Sequence, residues 1–207
     1  MTTRLFPAFA LVLILAISGC TTTPTQVGSS SSGNSAKQAA HVILVRGGVG
    51  GVFSEGLDEI ASKLRARGVP ATTIGQSQSG AALTRIPTGR TAAPIILIGH
   101  SIGALRVASM ARALRQRRQP VAYMATIAAS GTLNVPAGVR KAANYYFSKD
   151  GWGTIARAER GFTGRLQNID LSKRKTVGHF DADEDPRIQR QIIDNVVRIV
   201  RRAKRRR

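Results

Sequence analysis

The pentapeptide Gly99-His100-Ser101-Ile102-Gly103 is the part of the chain best suited to do chemistry. It lies between the apolar run Pro94-Ile95-Ile96-Leu97-Ile98 and a segment, from about 102 to 118, in which Val107, Met110, Ala111 and Leu114 recur at helical spacing. A serine at such a strand-to-helix junction must sit on a tight, strained turn that lifts its hydroxyl clear of the sheet. Glycines two residues to either side leave the turn room to pack. The hydroxyl can then act as a nucleophile toward an acyl carbonyl, with the amide of Ile102 aimed where an oxyanion develops.

The elements that must hold this serine are legible on both sides of it. His41-Val42-Ile43-Leu44-Val45 reads as a buried strand running into the glycine-rich loop Arg46-Gly47-Gly48-Val49-Gly50-Gly51. Ser54 is placed to cap a helix whose apolar face is Leu57, Ile60, Ala61 and Leu64, with Gly68 to end it. Further strands are expected over Val69–Ile74, Val121–Ile127, Ala142–Phe147 and Leu166–Asp170, while residues 75–93 are poorly patterned. A final helix opens with Asp185 as cap and Pro186 in its first turn, and carries Ile188, Ile192, Val196 and Ile199 on one face. Strands alternating with helices predict one α/β domain over residues 40–200, with a mostly parallel twisted sheet of about five to six strands covered by helices on both faces.

The ends of the chain differ in kind. Arg4 precedes an almost wholly apolar stretch from Leu5 to Ile17, closed by Ser18-Gly19-Cys20, which is too short to span a bilayer comfortably. It resembles a bacterial lipoprotein signal, which implies removal of residues 1–19 and lipidation of Cys20, the only cysteine. Thr21 after that cysteine is similar to the pattern of outer-membrane delivery, so the implied location is the cell envelope, on the periplasmic face of the outer membrane. Residues 20–39, rich in Ser, Thr and Gly, offer little apolar area to repay ordering and read as a flexible tether. The 31 Lys and Arg against 11 Asp and Glu give a formal charge of +20 in 207 residues, densest in the tail 201–207. Such a charge predicts attraction to an anionic membrane surface; an exported protein has little opportunity to meet nucleic acid.

From about residue 41 to 200 the chain resembles the α/β-hydrolase family in a small, lidless form, on the strength of the Gly99–Gly103 motif and its strand and helix. The family's chain order of nucleophile, acid and histidine implies Ser101, then an acid, then His179, which follows the last strand and precedes the last helix. Asp150, after Asn144-Tyr145-Tyr146-Phe147-Ser148-Lys149, matches the place of the acid, with Asp170 as competitor. The resemblance implies a second oxyanion donor in the loop after the first strand, Gly48 or Val49, although Arg46 stands where the family commonly has histidine. This loop lacks the third glycine of a dinucleotide fingerprint and the Lys-Ser/Thr of a phosphate-binding loop, and the histidines and lone cysteine lack metal-ligand spacing, so no cofactor is expected. The expected activity is hydrolysis of an ester or thioester through an acyl-enzyme on Ser101, in an open site. A catalytically silent envelope lipoprotein that keeps the fold and holds anionic lipid or other polyanions is the other reading the composition allows.

Overall fold

The computed structural model describes residues 39–48, 54–88, 93–149, 153–174 and 176–206. Cys20, Val49 and Asp150 lie outside the described residues, as do the leader and the tether up to residue 38. Six strands form one sheet in the order β2 (Ala71–Ile74), β1 (His41–Val45), β3 (Ile95–His100), β4 (Val121–Ile127), β6 (Lys141–Tyr146), β8 (Arg165–Asp170), and every neighbouring pair is parallel. Two two-residue strands, β5 (Asn134–Val135) and β7 (Arg157–Ala158), pair separately. The helices are α1 (Glu55–Arg65), α2 (Ser79–Thr84), α3 (Ile102–Gln116) and α4 (Pro186–Lys204).

The central strands are continuous apolar runs because both faces of the sheet are covered. Val42, Leu44, Ile96 and Ile98 belong to the core shared with α1 and α4, while Ile43, Val45, Ile95 and Leu97 belong to the core shared with α3 and α2. Each such side chain, fully buried, contributes roughly 1.5–3 kcal/mol. The expected single α/β domain with a mostly parallel sheet of about five to six strands is therefore what the described residues form, with six strands.

Two expectations from the sequence change in detail. Residues 75–93 contain a short 3-10 turn at Gln76–Gln78 and α2, whose buried Ala82 joins the core shared with α3; the Arg117 guanidinium donates to the carbonyls of Leu83 and Ile86 at 2.8 Å each. The last helix runs on through Lys204, so Arg201, Arg202 and Lys204 form its final turn. Three cations there are favourable beside the negative end of the helix dipole. The start of α4 is as the sequence indicates: Asp185 accepts from the amides of Arg187 and Ile188 at 2.9 Å each, with Pro186 as the first helical residue.

Candidate active site

Ser101 joins β3 to α3 at φ 55°, ψ −124°, a conformation that non-glycine residues seldom adopt. The glycines around it are required by space. A Cβ on Gly99 would stand 2.4 Å from the carbonyl oxygen of Gly103, and one on Gly103 would stand 2.1 Å from that of Val45. The turn is pinned by the Ser101 amide donating to the carbonyl of Ile127 at 2.9 Å, which extends the β3–β4 pairing one residue past the strand. Ile102 opens α3, where a backbone amide has no acceptor within its own helix.

The structure brings Ser101 and His179 together across 78 residues of sequence: Oγ and Nε2 are 3.0 Å apart. His179 sits in the turns between β8 and α4, buried, with Phe180 edge-on to its ring at 5.0 Å. Burial first, and then the neighbouring His100, push its pKa down to about 4, so the imidazole is neutral near pH 7 and able to take a proton.

Ser54 is not the capping residue that its position suggests. It sits at the N-cap of α1, but its buried hydroxyl accepts from the Gly47 amide at 2.9 Å and lies 2.9 Å from His100 Nδ1. His100 Nε2 lies 2.8 Å from the carbonyl oxygen of His179, which can only accept. The proton is therefore on Nε2, and Nδ1 accepts from Ser54. One relay thus runs from the Gly47 amide through Ser54 and His100 to the backbone of His179, tying together the loops on either side of Ser101. The α1 amide that a cap would serve is taken instead by Asp183, whose Oδ2 accepts from the Leu57 amide at 3.2 Å. Burial raises the Asp183 pKa to about 7, and its Oδ1 is 3.7 Å from His100 Nδ1.

These supporting residues were missed in the sequence. Ser54 and His100 are 46 positions apart, and Asp183 is 126 from Leu57. Among Asp181, Asp183, Glu184 and Asp185, no spacing marks Asp183 as the one that is fully buried.

The remaining expected site residues fall as follows. Gly47, the first glycine of that loop, has its amide spent on Ser54, and a Cβ there would stand 2.7 Å from Ser101 Cβ, so the loop lies directly against the serine. Gly48 takes φ 69°, and its carbonyl accepts from Gln76 Nε2 at 3.0 Å. Arg46 is held by Asp58 in a fork with bonds of 2.6–3.0 Å. Asp170 is exposed at the end of β8, and its carboxylate accepts from the Ser148 amide and hydroxyl and the Ser172 amide, bonds that hold its pKa down at about 2. It serves a surface turn, with no hydrogen bond to Ser101 or His179.

No protein-family model and no curated protein matches the chain. Among solved structures it is similar to human thioesterase 2, at 10% identity over 80% of this chain and 97% of that one, with a TM-score of 0.47. A second is RedJ with a PEG molecule bound in its active site, at 10% identity over 76% of this chain and 92% of that one, with a TM-score of 0.44.

Proposed function

We propose that the chain is a serine acyl hydrolase that cleaves an ester or thioester. The observation that carries this reading is the 3.0 Å approach of His179 Nε2 to the hydroxyl of a serine held in a left-handed strand-to-helix turn. The neutral imidazole takes the Ser101 proton as Oγ attacks the acyl carbon, and the charge developing on the carbonyl oxygen is met by the Ile102 amide. Collapse of the tetrahedral intermediate breaks the bond to the leaving alcohol or thiol, which takes the proton back from His179. Water, activated by the same imidazole, then attacks the acyl-serine and releases the acid. In this proposal Asp150 orients His179 and stabilises its imidazolium, and the second oxyanion donor is Gly48 or Val49. Attachment to a bacterial envelope membrane through a lipid on Cys20 also belongs to the proposal, on the strength of the apolar run and cysteine alone.

The test is intact-mass analysis after rapid mixing with acyl p-nitrophenyl esters and acyl thioesters of short and long chain. An acyl adduct mapping to Ser101, preceded by a burst of leaving group, is the expected result. Folded protein that neither forms an adduct nor turns over any of the series would overturn the reading.

A further inference from the structure

The end of the sheet opposite Ser101 carries a different chemistry. Lys141 and Arg165 are the first residues of β6 and β8 and lie side by side in the pairing register. α4 descends the same face from the serine end. Gln191 accepts from the Tyr145 hydroxyl near the end of β6, and one turn later Asn195 accepts from Lys141 Nζ at its start. The last turns of α4 therefore stand over the openings of β6 and β8. Between them lies a hollow of about 430 Å³ whose lining includes Lys141, Arg165 and Arg198, and it adjoins a second of about 440 Å³ lined by Arg198, Arg201, Arg202 and Arg205. Among the described residues, Asp194 is the one acidic residue lining either hollow.

Among the described residues these five arginines have no ion pair and no side-chain hydrogen bond, whereas Arg46, Arg112 and Arg174 each have a carboxylate partner. The crowding is felt at Lys141. Its pKa is lowered by burial first, and then by Arg198, Arg165 and Arg202. A fixed cluster of mutually repelling cations around a concavity is relieved by a bound anion.

We propose that this groove is a docking surface for an anionic phospholipid bilayer, holding headgroup phosphates between α4 and β8 and leaving the Ser101 end turned away from the membrane. Two features favour a bilayer over a nucleic acid. Among the described residues the groove offers no stacking platform, since its aromatic, Tyr145, is buried and spends its hydroxyl on Gln191. The chain also enters the fold at His41, at the same end of the parallel sheet as Lys141 and Arg165, and the apolar run 5–17 with Cys20 lies upstream of that entry point. The choice of a bilayer rests on the envelope reading, but the docking does not depend on catalysis. A six-residue strand separates the two ends by roughly 20 Å, so docking leaves the serine free for substrate from the far side.

The experiment uses the full chain and compares its partition onto vesicles of phosphatidylglycerol and phosphatidylcholine with its partition onto phosphatidylcholine alone. A lipid or apolar anchor adds equally to both, so the ratio reports the groove. The ratio is expected to exceed tenfold at about 0.1 M salt. It should fall at least fivefold in Arg165→Gln/Arg198→Gln/Arg202→Gln, and less than twofold in Arg106→Gln/Arg157→Gln/Arg160→Gln, which removes the same charge from the α3 side. Equal losses in the two triple variants, or a wild-type ratio near one, would overturn the proposal. So would groove-dependent binding of duplex DNA without a vesicle preference. Hydrogen exchange of the wild type on vesicles gives the orientation: protection is expected at 139–142, 163–167 and 196–206, and protection at 100–103 and 177–184 instead would overturn it. Both readouts stand whether or not Ser101 is reactive.

Discussion

The two ends of the parallel sheet are built from opposite materials. At the C-terminal ends of the strands Ser54, His100, His179 and Asp183 gather with 0–7% of their surface exposed, and Ser54 and His100 are linked in one hydrogen-bonded relay. At the N-terminal ends Arg165, Arg198 and Arg202 are exposed and unmatched among the described residues. The difference is one of dielectric. Burial holds His179 neutral and the relay fixes the tautomer of His100, as a proton transfer needs, whereas exposed guanidinium groups act on partners only through screened attraction. A chain with a formal net charge of +20 thus gathers unpaired arginines at the end away from Ser101, while Arg46, beside the loop against the serine, is paired with Asp58.

The largest effect that tests this contrast comes from the reacting pair. Ser101→Ala or His179→Ala is expected to lower kcat by at least about 10⁴-fold while leaving the thermal midpoint nearly unchanged, measured by ester turnover alongside melting. Ser54→Ala should come next. It strands the Gly47 amide and His100 Nδ1 in the buried relay, costing about 1–3 kcal/mol of stability, and it loosens both loops around Ser101, for a drop in kcat of about tenfold with little change in KM.

Titration sharpens the comparison. With a His179 pKa near 4, activity should rise through about pH 4 and stay flat to neutrality. Asp183 has a folded-state pKa raised to about 7 against an ordinary 3.8, so its contribution to stability is fully present below about pH 4 and is lost as pH rises toward 7. The loss amounts to up to about 4 kcal/mol. Asp183→Asn, whose side-chain oxygen can still accept from Leu57, should therefore flatten the decline in melting temperature between pH 4 and 7. The smallest effect belongs to the other end: Arg165→Gln/Arg198→Gln/Arg202→Gln should change turnover of a soluble ester by less than about twofold, and a larger loss would mean that the two ends are coupled.

Local pattern and spacing made part of this visible in the sequence. The Gly99–Gly103 motif, the alternating strands and helices and the Asp185-Pro186 helix start each depend on neighbours within a few residues, and the structure has them where the pattern puts them. The pairing of His179 with Ser101 follows a chain order that the resemblance supplies. The support of the site was not legible because it is made by contacts remote in sequence. Ser54 has the type and place of a helix cap, and only the fold shows that Gly47 and His100 claim its hydroxyl. α2 escaped notice because its six residues, Ser-Gly-Ala-Ala-Leu-Thr, carry too little apolar periodicity to announce a helix. The strands β5 and β7, two residues each, are shorter than any alternation can reveal.

Activation of Ser101 at the C-terminal end of the sheet is read out by a fluorophosphonate probe. The reagent reacts with a serine whose proton is being removed and leaves an ordinary surface hydroxyl unmodified. Stoichiometric labelling of the folded wild type near pH 7 is expected, mapping to Ser101 and absent from both Ser101→Ala and His179→Ala. Labelling that persists in His179→Ala, or a folded wild type that remains unlabelled, would contradict it.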